Sequence, residues 1–356
     1  MFTKTSTLSP SLRQARTGRW LARAGAVRAR LVSTVLTLLG LLVLTFFIGR
    51  VMPVDPVLAI AGPDADASTY QQVKAQLGLD QPLWMQFGHY LGELAHGKLG
   101  TSLLTGNPVA SDIARVLPAT AELATLAIVI GVLTGVPLGV FAATRRGGWG
   151  DNVVRVISLS GYSVPVFWFA MMGLLVFYAW LGWAGGSGRI DLEFDGTVRP
   201  LSGFLLIDAA LEGQWQAFAS AARHIILPAC ILGLHTMAYL SRMTRSFMLA
   251  QLSQEYVLTA RVKGLPEWRV VWGHAFRNIL VQLLTIVALA YGGLLEGAVL
   301  VETVFAWPGF GQYLTNSLLL GDMNAVMGCV LVVGIIFVTL NLVSDSLYKI
   351  FDPRMR

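Results

Sequence analysis

Charge is what this 356-residue sequence has least of: Asp, Glu, Lys and Arg together make up 13% of it, against about 25% in a soluble domain. Cysteine is nearly absent, with Cys230 and Cys329 each lying inside an apolar run. Two isolated thiols exclude a secreted disulfide scaffold and a structural zinc site. The shortage of charge excludes an ordinary water-soluble enzyme and a disordered chain, because 55% hydrophobic residues leave too little polar surface for a globule. Low-complexity segments, short-period repeats and a linker between soluble domains are missing too.

Long apolar runs are what is present. A helix crossing a bilayer needs about 20 mostly apolar residues. Six stretches qualify: Leu31–Gly49, Leu123–Ala143, Val156–Trp183, Ile225–Ser241, Ile279–Leu295 and Met323–Ser344. They predict an all-α integral membrane protein with six transmembrane helices and both termini on one side. The scarce charges say which side. Residues 1–30, 144–155, 242–278 and 345–356 carry 19 basic and 5 acidic side chains, whereas 50–122, 184–224 and 296–322 carry 7 and 15. Cytoplasmic loops are enriched in Lys and Arg, so the first set, with the N and C termini, is expected in the cytoplasm. The net charge of +6 is then a signal of topology, and no nucleic-acid partner is expected.

The implied organisation is a basic cytoplasmic tail at 1–30, a first transmembrane helix at 31–51 and a periplasmic segment at 52–117. A transmembrane core at 118–349 and a cytoplasmic tail at 350–356 follow. Ala59-Ile60-Ala61 imitates a signal-peptide cleavage site, but the preceding apolar core has 19 residues, beyond the ~7–15 of a cleaved signal. An uncleaved first span is expected. In the external segment, Leu83, Phe87, Tyr90, Leu91 and Leu94 share one helical face, with Trp84 alongside. The second external loop, 184–224, opens on Gly-Gly-Ser-Gly, carries Asp191, Glu193 and Asp195, and reads as projecting from the membrane.

Residues 255–278, within a cytoplasmic loop at 250–278, are the most informative. They read as helix, break, helix. Glu255 suits the positive end of a first helix, and Arg261 and Lys263 its negative end. Gly264 suits the left-handed residue after a helix, and Pro266 the first turn of the next. Tyr256, Val257 and Ala260 form an apolar face flanked by charge. Such a rigid knob fits either a protein partner or the lipid surface.

This stretch resembles the coupling loop of ABC importer permeases. Its form, Glu255-Tyr256-x-x-Thr259-Ala260-Arg261-x-Lys263-Gly264-Leu265, is similar to the dipeptide/oligopeptide branch. Other segments match that branch in order: Arg50-x-x-Pro53-x-Asp55-Pro56, Leu77–Leu83, Gly97-x-Leu99-Gly100-x-Ser102, Gly161–Trp168 and Leu201–Asp208. His224–Pro228, Arg242–Ser246, Glu302–Gly311 and Asp352-Pro-Arg354 complete the series. The resemblance covers residues 28–356 and implies the type I ABC importer permease fold in a bacterial inner membrane. It implies a subunit that moves dipeptides or short peptides, driven by two cytoplasmic ATP-binding subunits. A second homologous permease, a periplasmic peptide-binding protein and membrane lipid complete its surroundings. His274, Arg277 and Asn278 join the residues above as expected ATPase contacts. No cofactor is expected in this chain, since ATP and Mg belong to the partners. The chain departs from the branch where Val281-Gln282 replaces Leu-Pro, where Asp322-Met323-Asn324 replaces Asp-Tyr-Pro, and where Gly97-Lys98 replaces Gly-Asp.

Catalytic chemistry is not expected. Residues 92–99 nearly spell a phosphate-binding loop, but Leu99 stands where a Mg-binding hydroxyl is needed, with no strand before it. The five histidines show no metal-ligand spacing and no nucleophile–base pair is evident, so neither a catalytic nor a metal residue is expected. Candidates for a translocation pathway are Gly161, Ser163, Pro165 and Glu296. Pro165, inside the third span, would leave the Gly161 carbonyl without its helical donor. Glu296 lies about 26 Å along a helix from Ile279, near the external interface. An ion-coupled secondary transporter is the alternative class. An importer of the same type for oligopeptides, nickel, glutathione, opines or haem is the alternative substrate reading.

Overall fold

The computed structural model describes residues 28, 32–47, 56–62, 64–76 and 78–351, without the side chains at 56, 59, 60, 296 and 344–351. The expected tail at 1–30 lies outside these residues except for Arg28, as do Leu31, residues 48–51 at the end of the first span, and 352–356. The chain divides into two compact units, Met1–Met52 and Pro53–Arg356. In the first, the described residues form one apolar helix, α1 (Val32–Phe47).

The second unit is helical. Three helices precede the long ones: α2 (Pro56–Ala61), α3 (Ala67–Gln76) and α4 (Leu83–Ala95). Long helices follow: α5 (Val109–Thr144), α6 (Trp149–Ser163) and α7 (Val166–Gly173), the last widening into a π-helical stretch at Leu174–Trp180. Then come α8 (Leu205–Leu211), α9 (Trp215–Leu252), α10 (Glu255–Val262), α11 (Phe276–Val304), α12 (Phe310–Leu319) and α13 (Met323–Phe351). Among the described residues, four helical segments are long and apolar enough to cross a membrane, and a fifth span arises if the bent pair α6–α7 counts as one. The pseudo-phosphate loop falls on the end of α4, where His96 Nδ1 lies 2.8 Å from the Gly92 carbonyl oxygen.

The centre is the pair α5 and α9. Gly131, Gly135 and Gly139 recur every fourth residue on α5, and each stands against α9. A Cβ at Gly131 would lie 2.7 Å from Thr236 Cγ2, one at Gly135 2.9 Å from the Met237 carbonyl oxygen, and one at Gly139 2.6 Å from the Ser241 carbonyl oxygen. Gly233 reciprocates on α9, where a Cβ would lie 2.8 Å from Ile130 Cγ2. Lipid tails are as apolar as leucine, so small residues that let backbones approach are what hold such helices together. The repeat is written in the sequence as Gly-x-x-x-Gly-x-x-x-Gly.

Prolines behave in opposite ways. Pro228 sits inside the 38-residue α9, and Pro118 and Pro137 inside the 36-residue α5, without ending either helix. Around Pro165 the chain bends by 94° between α6 and α7. The third span is therefore two helices that meet at a bend. Val164 is extended there (ψ 131°), as the residue before a proline prefers, and Pro165 starts α7 by accepting the Trp168 N–H at 3.0 Å.

The loop that starts at residue 184 does not project freely. Arg189, 17% exposed, reaches Glu122 on α5 at 2.5 Å and lies over the Trp307 ring at 5.6 Å. The Gly188 N–H donates to the Phe305 carbonyl, and Ser220 donates to Asp191. On α8, Asp208 accepts the N–H groups of Leu201, Ser202 and Gly203 and the Ser202 hydroxyl. Burial works against this carboxylate's charge, but the hydrogen bonds, led by Ser202, outweigh it and hold its pKa below the ordinary value. In Asp322-Met323-Asn324, Asp322 accepts Ser102 Oγ–H at 2.6 Å and Asn324 Nδ2 donates to the Thr101 carbonyl at 3.0 Å. The departure from proline thus supplies a tie between α13 and Thr101.

Candidate coupling surface and translocation groove

After α9 ends at Leu252, Glu255 opens α10 and the helix runs for eight residues. Gly264 stops it in the left-handed region, φ 75°. The Gly264 N–H donates to the Arg261 carbonyl at 2.9 Å and the Leu265 N–H to the Ala260 carbonyl at 3.3 Å, closing the orphan carbonyls of the helix end. Pro266 begins the next turn by accepting the Arg269 N–H at 2.9 Å. A π-helical stretch, Arg269–Ala275, then leads into α11. Across the break Arg261 Nη2 meets Glu267 Oε1 at 2.6 Å, and that guanidinium holds the Glu267 carboxyl below its usual range. The helix–break–helix is as the sequence implies.

Its apolar face is distributed differently from the expectation. Val257 and Ala260 turn inward and pack with Val270, with Leu252 and Leu265 at the edge. Tyr256 is 37% exposed and donates its hydroxyl to Gln251 Oε1. The outward apolar side chains are instead Leu258 (63% exposed), Val262 (80%) and Trp268 (63%). Glu255, Thr259, Arg261, Lys263, Gly264, His274, Arg277 and Asn278 are all exposed. The residues of this segment that face away from the bundle differ from those the sequence pointed to. Their signal lay in the spacing of Leu258 and Val262, one helical turn apart. α11 runs unbroken through Gln282, so losing the proline leaves no bend there.

α6 is bolted to α9 by a bidentate pair. Arg245 Nε and Nη2 donate to the two oxygens of Asp151 at 2.6 and 2.8 Å. Ser158 and Ser241 share a buried hydrogen bond at 2.7 Å.

The pathway candidates are dispersed. Gly161 is buried, and a Cβ there would meet Ala238 Cβ at 3.3 Å, so this glycine seats α6 on α9. Ser163 and Pro165 are exposed at the bend. Glu296 lies on α11, with its side chain outside the described residues. What the structure brings together is a neighbouring cavity of about 290 Å³ between α6, α9 and α11, lined by Tyr162, His235, Thr236 and Tyr239 and by Gly293 and Gly297. The His235 ring stacks on Tyr162, with centroids 5.2 Å apart and planes 18° apart, and Arg242 lies 4.8 Å above Tyr162. Buried His235 Nδ1 has no hydrogen-bond partner, a lack that costs about 1–3 kcal/mol. The sequence did carry a signal for it: a histidine inside the apolar run Ile225–Ser241 is a functional candidate by default.

Two family models match the chain. One, described as the binding-protein-dependent transport system inner membrane component, matches residues 135–356, and its N-terminal companion matches 26–124. The chain is 43% identical to the probable D,D-dipeptide transport system permease protein DdpB of Escherichia coli K12, over 92% of this chain and 96% of that one. It is 41% identical to the di/tripeptide transport system permease protein DppB of Pseudomonas aeruginosa, over 93% and 98%. To the dipeptide transport system permease protein DppB of Escherichia coli K12 it is 40% identical, over 92% and 97%. Among solved structures, a chain of the MetNI methionine ABC transporter in inward-facing conformations shares the fold, with TM-score 0.51 at 17% identity, over 67% of this chain and 96% of that one. With its two models spanning most of its length, this chain belongs to the family of binding-protein-dependent transport system inner membrane components.

Proposed function

We propose that this chain is the permease subunit of an ATP-binding-cassette importer that carries dipeptides or short peptides across the bacterial inner membrane. The observation that carries the reading is 40–43% identity, end to end, to permeases named for D,D-dipeptide and dipeptide transport. The family implies ATP-hydrolysing and binding-protein partners, and the chain itself is the membrane component, with ATP and Mg handled elsewhere. In this reading a second homologous permease completes the passage, two ATPases sit on the cytoplasmic side, and an external protein delivers peptide. Six spans with cytoplasmic termini are part of the same proposal.

The α10 segment is the mechanical link. Leu258, Val262 and Trp268 enter a cleft on an ATPase, while Arg261, Lys263 and Glu255 fix the register around them. The Arg261–Glu267 pair and the Gly264–Pro266 break make the segment stiff enough to pass a push to α9 and α11. Reversing an inward-to-outward population from 1:99 to 99:1 takes about 5.5 kcal/mol, supplied by ATP-bound closure of the partners. An ion-coupled transporter has no use for such a segment.

The test is reconstitution of the complex in liposomes with its co-purifying subunits. Labelled dipeptide is expected to accumulate only with ATP and the external binding protein. Accumulation without the ATPases, or one that follows a proton gradient, overturns the reading.

A further inference from the structure

The cavity between α6, α9 and α11 has two properties that neither a lipid-facing surface nor a closed helix interface would combine. The first is its glycines. Gly293 and Gly297 lie one turn apart on α11, and no atom stands within 4 Å of the place a Cβ would occupy at either. On α5 the missing Cβ atoms are replaced by α9; here they are replaced by space. Glycine weakens a helix, and toward lipid a leucine would serve better, so emptiness is what these residues provide.

The second property is polarity in an apolar setting. His235, Tyr162 and Tyr239 line the same space, while His235 Nδ1 is buried in its wall without a partner. An imidazole can donate or accept, as can a phenol, so together they match the amide N–H and carbonyl groups of a peptide backbone. The column continues from His235 through Tyr162 to Arg242, at 5.2 and 4.8 Å, and so ends on a guanidinium able to meet a carboxylate. A volume of about 290 Å³ lies at the small end of ligand sites, roughly 300–1,000 Å³, and suits two residues better than five. The apolar windows of α11 and α13 are only 22% buried, against 61% for α9, which leaves this side of the unit open.

We propose that this groove is the chain's own share of the peptide passage, in which His235 hydrogen-bonds the peptide backbone and Gly293 and Gly297 set the width left for its side chains. The inference rests on the peptide-importer reading and adds residues and a size limit to it.

The assembled complex in proteoliposomes tests it. Gly293→Leu is expected to lower uptake of a dipeptide with two aromatic side chains at least tenfold more than it lowers uptake of diglycine. An equal effect on both peptides, or none on either, overturns the size role. His235→Phe keeps the ring and its stacking; about tenfold slower uptake of both peptides is expected, with His235→Gln recovering to within threefold. Unchanged uptake in His235→Phe overturns the hydrogen-bonding role. A third arm needs no substrate: Gly297→Cys with the exposed Cys230 changed to alanine. A charged, membrane-impermeant thiol reagent is expected to label it during ATP turnover. Labelling only by an apolar maleimide makes the face lipid-exposed, and labelling by neither makes it a permease–permease contact; both overturn the proposal. Labelling by the charged reagent in a complex that moves no dipeptide keeps the passage and rejects the peptide assignment.

Discussion

The glycines of α5 and those of α11 are the same residue put to opposite uses. Gly131, Gly135 and Gly139 bring two backbones together; Gly293 and Gly297 keep matter out. The difference lies in what faces them. Half of the apolar window of α5 and 61% of that of α9 are buried within this chain, whereas α11 and α13 each reach 22%. One pair of helices is a finished core, and the other is largely uncovered within this chain.

Overfilling the α5–α9 core breaks this contrast most severely. Gly139→Leu must displace the Ser241 carbonyl and Thr244 Cβ, each 2.6 Å from the new Cβ. A backbone carbonyl cannot step aside, so a loss above about 3 kcal/mol is expected, beyond the usual 1–3 for overpacking. Yield of monodisperse protein and its melting temperature in detergent measure this.

Next comes the pair that ties Arg189 to α5. Glu122→Gln removes the charge that faces Arg189 and weakens the acceptor of the Leu206 N–H, now at 2.8 Å. About 2–3 kcal/mol is expected from a guanidinium left without its counter-ion. The same melting assay reads it, and the double variant Glu122→Gln/Arg189→Met should recover part of the loss.

The coupling segment belongs to neither helix pair, and its perturbation separates stability from function. At Gly264, φ is 75° and no atom lies within 4 Å of a new Cβ. Gly264→Val therefore meets only backbone strain, about 1–3 kcal/mol and confined to the α10 exit. Membrane insertion should survive while ATP-driven uptake falls at least tenfold. Equal uptake in variant and parent would remove α10 from the coupling role.

A smaller effect is expected at Asp208. Its carboxyl is held below the ordinary pKa, so its stabilisation is complete above the unfolded value, about 4. It fades as pH falls through the lowered folded value. Between pH 5 and 3, roughly, the parent should lose more melting temperature than Asp208→Asn. Equal slopes would mean that the cradle at 201–203 carries no proton linkage.

The smallest change is the sharpest comparison. Gly135→Ala pushes a methyl to 2.9 Å from the Met237 carbonyl oxygen and should destabilise. Gly293→Ala enters free space and should stabilise by up to about 1 kcal/mol from helix propensity. The opposite signs of two identical substitutions, measured by melting, would establish the contrast.

Much of this was legible beforehand. Apolar length located the spans of α5, α9, α11 and α13, because crossing a membrane is a demand on composition that no neighbour can waive. The break at Gly264 and Pro266 was legible because both act on their own backbone. The stripe on α4 was legible by period, and its Tyr90 is indeed the buried member. Less of the candidate groove could be read. Gly161 was expected on a pathway and instead seats α6 on α9. His235 and Tyr162 are 73 residues apart in number, and nothing local announces that their rings stack. The loop 184–224 looked free because Gly-Gly-Ser-Gly is flexible by itself; Arg189 is held by Glu122, which arrives from far upstream.

The sequence alone determined that the chain lives in a bilayer, where its helices lie, and which segment carries the family's coupling pattern. These follow from hydropathy, from Gly and Pro, and from motif order, all properties of contiguous residues. Tertiary structure alone decided that Pro165 bends its span by 94° while Pro228 leaves α9 intact, and which glycines are filled and which stay empty. The physical reason is shared: a missing N–H or a missing Cβ is only an opportunity. Its effect depends on which atoms, brought from a distant part of the chain, take the place left open.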